Sequence, residues 1–272
     1  MSHIEIKKKH TMDWLTIIAI AAIAISFTVG SHEGMHALAC LMVGGDLLEY
    51  SALYEECNSP SDTGARIEAG VAPTYNLLIG IILWLVIHHS SRLNTETWLF
   101  LWLLMIMNWC YAVGYLIFSG LANIGDWAVV IHGWSPTWLL RTGMVVLGIL
   151  LYIILLRLGL IEWGKVIGGE REEQLQRTNK IFIISYITSF VVILAAGLFC
   201  PWGFISLPVT AGLFAASGSL SPFLFMIRWF RTDAIPKLSV DPMEIKRSPP
   251  WLVAGLVVVF TYVFILGRTL YF

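Results

Sequence analysis

Two histidines four residues apart with a glutamate beside the first, His32-Glu33-Gly34-Met35-His36, are the part of this sequence best equipped for chemistry. On an α-helix, positions i and i+4 share a face, so His32 and His36 can offer two imidazoles to one metal ion. Glu33 lies one step round the helix, within reach of a water held at that ion. Two imidazole ligands and an adjacent carboxylate base are what zinc-assisted hydrolysis of an amide requires. The motif also sits in an apolar run, where ionisable groups are costly and tend to mark function.

A tetrahedral site needs a third protein ligand. Asp126 is the strongest candidate, as the one acid between Glu96 and Glu162, in the apolar stretch that follows the third long hydrophobic segment. An aspartate after glycine can instead cap the next helix. His132 is the other candidate, as a ligand or as a partner to one. His88 and His89 read as an interfacial pair, and Glu162 with the acids of 170–173 as a solvated loop.

The elements that must hold these residues are membrane spans. The chain has 272 residues, 57% hydrophobic and 13% charged, with a mean hydropathy of +0.76. That is more apolar surface than a soluble domain of this length can hide. Apolar runs at about 14–43, 70–87, 97–118, 136–156, 181–200, 203–226 and 250–267 approach or exceed the ~20 residues that cross a bilayer. The sixth is broken by Pro208, Gly212, Ser217, Gly218, Ser219 and Pro222. The fold class expected is an all-α polytopic membrane protein of six to seven transmembrane helices. The basic residues before the first run, with no small-residue cleavage site after it, indicate an anchor and not a signal peptide. The 12 tryptophans suit membrane interfaces, with several packing between helices. A net charge of -1 argues against a nucleic-acid partner.

Orientation follows from the basic residues. Lys7, Lys8 and Lys9, then Arg92, then Arg157 to Lys180, then Arg228 to Arg247 all fall on one side of a seven-span chain. The positive-inside rule makes that side, and the N-terminus, cytoplasmic. His32 then lies roughly 27 Å along the first helix, toward the outer leaflet. The acidic segment 45–68 emerges there. Its alternating Leu48, Tyr50, Ala52 and Tyr54 predict a short strand that returns after the Asn58-Ser59-Pro60 turn. Cys40, Cys57, Cys110 and Cys200 show no C-x-x-C spacing and indicate neither a zinc knuckle nor a disulfide framework. The polar stretch 161–180 divides a catalytic membrane core, 1–158, from accessory helices, 159–272.

With these residues in view the chain resembles the site-2 protease family of intramembrane zinc metalloproteases. The likeness lies in Gly30 to Ala39 with Gly44-Gly45 after it, in Ala69-Gly70-Val71-Ala72-Pro73-Thr74-Tyr75-Asn76, and in Asn123 to Asp126. It covers residues 14–140, about half the chain. Carried over, it implies zinc on His32, His36 and Asp126, water activation by Glu33, and Asn76 holding the substrate backbone or the oxyanion. It also implies a membrane-associated β-hairpin over 45–68. The chain departs from the family's pattern at Gly34-Met35, where glycine usually precedes the second histidine directly, and at Trp127, where glycine usually follows the aspartate. Family members open toward the cytosol, whereas the basic loops here turn the site outward.

The function expected is a zinc metalloendopeptidase that cleaves membrane-embedded or membrane-adjacent protein or peptide substrates within the lipid bilayer. The alternative is a non-proteolytic metal-binding membrane protein, either a transporter or a degenerate homologue. A transport path would repeat polar groups across several spans, and this chain concentrates them at one level. The histidine boxes of a membrane oxygenase are excluded, because the 7 histidines are too few and too scattered.

Overall fold

A computed structural model describes residues 11–90, 92–203, 205–231 and 241–272. The basic residues Lys7, Lys8, Lys9 and Lys237 lie outside the described residues. Seven helical segments are long and apolar enough to cross a membrane. They are α1 (Trp14–Met42), α2 (Asp62–His89), α3 (Thr95–Ala122), α5 (Thr137–Val166), α6 (Arg171–Leu198), the segment Gly212–Phe230, and Pro249–Arg268. Helices are the expected solution in lipid, since each satisfies its own backbone polar groups. The chain is an all-α polytopic membrane protein with one small sheet.

The glycines and Pro222 leave their mark on the sixth span, which is built in pieces. Helix α7 (Leu207–Ser219) passes through a 3-10 turn at Ser221–Leu224 into α8 (Met226–Phe230). The seventh is also irregular: α9 (Pro249–Phe260) widens to a π turn at Thr261–Ile265 and tightens to a 3-10 turn at Leu266–Arg268. Between α3 and α5 lies the short α4 (Asp126–Val130).

Helices α1 and α3 are the most enclosed spans, and the others pack around them. Close approach of α2 to α3 depends on Gly80, where a Cβ atom would fall 2.3 Å from the Trp109 ring. One turn before Gly80, on the same face of α2, stands Asn76. A cluster of Trp102, Trp163, Phe182 and Phe223 fills the core toward the other end of α3. Trp14, Trp134, Trp138, Trp202 and Trp229 are exposed, so the tryptophans divide between core and periphery.

The sheet corrects the expected hairpin. Strand β1 (Asp46–Tyr50) pairs antiparallel with β2 (Glu55–Asn58), and the reversal lies at 51–54, not after Asn58. Ala52, Leu53 and Tyr54 form that reversal and are buried against the helices. The Ala52 carbonyl accepts from the Tyr262 hydroxyl at 2.9 Å, and the Ala52 N–H donates to Leu266 O at 3.1 Å. A turn buried in this way carries apolar residues, which is why it has the sequence pattern of strand. The Asn58-Ser59-Pro60 turn leads instead into α2, capped by Ser61. A third strand, β3 (Leu270–Tyr271), completes the order β2-β1-β3.

Two further expectations are corrected. Cys40 and Cys57 form a disulfide, so the cysteines do supply a covalent tie. The hairpin doubles back over the end of α1 and brings together residues 17 apart, a spacing no short cysteine motif announces. Glu162 is not in a solvated loop. It is buried in α5, bound by Lys165 at 2.8 Å and by His88 Nδ1 at 2.8 Å, because α5 continues to Val166 through the polar stretch. Paired in this way, a buried carboxylate ties α2 to α5.

Candidate metal centre

Helix α1 carries His32, Glu33 and His36 on its buried side. The two imidazoles meet almost edge to face, with ring centroids 4.8 Å apart. Each is fixed at Nδ1. His32 Nδ1 lies 2.6 Å from Asn76 Oδ1, and His36 Nδ1 lies 2.9 Å from the Glu68 carbonyl. A carbonyl oxygen only accepts, so both Nδ1 atoms carry a hydrogen, and in the neutral rings both Nε2 atoms present lone pairs. Asn76 is held in its turn: its Nδ2 donates to Asn108 Oδ1 at 2.7 Å and to Thr28 O at 3.5 Å. Asn108 Nδ2 donates to Leu104 O at 2.8 Å and Thr28 Oγ1 at 3.2 Å. This buried amide pair sets the His32 ring.

Asp126 arrives from the other side of the cleft. Asn123, with φ 59°, ends α3 in the left-handed region, and Gly125 follows with φ 83°. A Cβ at Gly125 would be strained by that φ and would meet Ser119 Oγ at 3.3 Å. The reversal makes Gly125 the cap of α4 and points Asp126 at the histidines. Its Oδ2 lies 3.2 Å from His32 Nε2 and 3.5 Å from His36 Nε2, and the two Nε2 atoms are 3.2 Å apart. Asp126 Oδ2 is buried with no hydrogen-bond partner among the described residues.

With both rings neutral, three electron-pair donors face one another in a buried space. Ligands around a tetrahedral ion at 2.0–2.1 Å stand about 3.3 Å from each other. The three separations here bracket that value, and His32, His36 and Asp126 together form a group that could hold a metal ion. A second such group, Cys40, Glu55 and Cys57, has both of its sulfurs bonded to each other.

Beside the triad lies a cavity of about 340 Å³, walled by Glu33, His36, Asp126, Tyr115, Glu55, Glu68 and the apolar Leu53, Phe118 and Val129. No lysine or arginine is among its walls. Burial, then the neighbouring Glu68, push the Glu55 carboxyl up to about 8. Tyr50 anchors β1 to α1 through its hydroxyl, which donates to Gly30 O at 3.0 Å; its own pKa is raised to about 12, by burial and then by Glu33.

The structure therefore brings together His32, Glu33, His36 and Asp126 and sets Asn76 behind His32 instead of in the cavity. His132 is exposed; its carbonyl accepts from Arg66 at 2.7 Å and it takes no part in the group. Asn108, Thr28, Tyr115, Glu55 and Glu68 were not singled out in the sequence. Asn108 did carry a signal, an amide between Met107 and Trp109 in mid-span. Comparison with protein-family models, curated proteins and solved structures finds no match for this chain.

The geometry makes a prediction for metal content. Protein purified in detergent and dialysed against a weak chelator should retain one divalent ion per chain by elemental analysis. Asp126→Ala should lose it, and Asn76→Ala should bind it about 10- to 100-fold more weakly, as expected when the partner of a liganding histidine is removed. Wild-type metal content in Asp126→Ala would refute the grouping.

Proposed function

We propose that this protein is an intramembrane zinc metalloprotease of the site-2 protease kind, hydrolysing peptide bonds of membrane-embedded or membrane-adjacent substrates. The observation that carries the reading is the convergence of His32 Nε2, His36 Nε2 and Asp126 Oδ2 beside a cavity lined by Glu33. Two imidazole nitrogens and a carboxylate oxygen suit zinc, and Cys40 and Cys57 are tied to each other in a disulfide. Bound there, zinc supplies Lewis acidity to a water and to a peptide carbonyl.

The chain's own residues do the rest. Amide hydrolysis forms a C–O bond and breaks a C–N bond, taking one proton from the attacking water and giving one to the departing nitrogen. Glu33 serves both transfers, since it is the carboxylate that borders the cavity from the same helix as the two histidines. His32 and His36 keep Nε2 free because Asn76 and the Glu68 carbonyl engage Nδ1. A cavity of about 340 Å³ takes a few residues of extended chain, whereas a helix is ~10 Å across, so a substrate helix must unwind to enter.

Orientation is part of the same reading. The basic loops put the N-terminus in the cytoplasm and the site toward the outer face. The Cys40–Cys57 disulfide supports this independently, for it lies on the site's side of the bilayer and disulfides persist in oxidising compartments.

Glu33→Gln should keep its zinc while hydrolysis of a membrane-spanning test peptide falls at least about 10²-fold. Undiminished turnover in that variant would exclude the mechanism. A wild-type protein that binds zinc but cleaves no such peptide would favour a non-proteolytic metal protein. For orientation, reporter fusions after Lys9, Asp62 and Lys165 should report cytoplasm, outside and cytoplasm. A cytoplasmic signal at Asp62 would invert the topology.

A further inference from the structure

Any hydrolysis of a carbonyl at this centre develops negative charge on the carbonyl oxygen, and a hydrogen-bond donor aimed at it is worth a large part of the rate. Asn76 is not that donor. It is fully buried, its Oδ1 is held by His32, and both hydrogens of its Nδ2 are directed to Asn108 and Thr28. His36 is engaged at Nδ1 by the Glu68 carbonyl and turns its Nε2 toward Asp126. Among the described residues two hydroxyl-bearing side chains border the cavity, Tyr54 and Tyr115. Tyr54 is bound to Glu49 Oε2 at 2.9 Å and Thr269 Oγ1 at 3.0 Å, so it too is committed.

Tyr115 comes from α3, one turn after Tyr111, and the two rings flank the His32 imidazole at centroid distances of 5.0 Å and 4.8 Å. Tyr111 is fully buried, whereas Tyr115 borders the cavity together with Glu33 and Asp126. Its hydroxyl neighbours that of Tyr111. The Tyr111 hydroxyl is buried without a hydrogen-bond partner among the described residues, so it does not engage the Tyr115 hydrogen. We propose that Tyr115 is a catalytic residue of this centre, donating its phenolic hydrogen to the oxyanion of the tetrahedral intermediate. The assignment rests on the proteolytic reading above and adds to it a residue that the family resemblance does not supply.

The test uses the full-length protein in detergent, with Tyr115→Phe keeping the ring and its packing on His32 while removing only the O–H. Three quantities are read: zinc content, cleavage of a membrane-spanning peptide, and affinity for a phosphinic analogue of that peptide, whose tetrahedral oxygens mimic the oxyanion. We expect unchanged zinc, KM within about twofold, and kcat lower by about 10²–10³-fold. Affinity for the phosphinic analogue should fall by a comparable factor, while affinity for a product peptide stays the same. Unchanged kcat and analogue affinity in Tyr115→Phe would overturn the assignment and leave the protease reading standing. Loss of zinc in this variant would make Tyr115 a packing residue and also overturn it. No cleavage by the wild-type protein would remove the reading and the assignment together, a result distinguishable because it appears before any substitution at Tyr115.

Discussion

The arrangement of the membrane core turns on three electron pairs forced into one buried space. With both rings neutral, His32 Nε2, His36 Nε2 and Asp126 Oδ2 turn lone pairs on one another at 3.2–3.5 Å. In a low-dielectric interior such an arrangement repels itself, and an uncompensated buried carboxylate costs several kcal/mol. A divalent cation removes both penalties at once. The packing of α1, α2 and α3 can be understood as what holds these donors convergent. Gly80 lets α2 lie against Trp109, which brings Asn76 and Asn108 within 2.7 Å and fixes the His32 ring. The left-handed turn at Asn123 and Gly125 brings Asp126 back to meet it.

The hairpin belongs to the same design. It is joined to α1 twice, by the Cys40–Cys57 disulfide one turn beyond His36 and by the Tyr50 hydroxyl on Gly30. Its buried turn contacts the irregular seventh span, so the last helix reaches the cavity wall through Ala52 and Leu53. Glu55, in β2, borders the cavity beside Glu68, whose backbone carbonyl orients His36. Each of these links ties the hairpin to a membrane span.

What the sequence made legible was local. Long apolar runs and the four-residue spacing of His32 and His36 depend on neighbours along one helix, and both survive in the structure. Asp126 was legible because a lone acid in an apolar stretch needs a reason to be there. Contacts between distant segments were not. The disulfide depends on how the hairpin folds back, and the buried reversal at 51–54 alternates like a strand because it must be apolar to sit against helices. Glu162 looked solvated because His88 reaches it only when α2 and α5 pack, and because Lys165, one turn on in α5, read as part of a polar loop. Asn76 was noticed for its position, but the direction of its amide is set by Asn108, thirty-two residues away in the chain.

The central claim is that one zinc ion is held by two imidazoles and a carboxylate. X-ray absorption at the zinc edge on the purified, detergent-solubilised protein tests it most directly. The account predicts stoichiometric zinc with a shell of nitrogen and oxygen at about 2.0–2.2 Å, outer-shell scattering from two imidazole rings, and no sulfur. A sulfur shell at about 2.3 Å would place the ion on Cys40 and Cys57 instead, and would contradict the account.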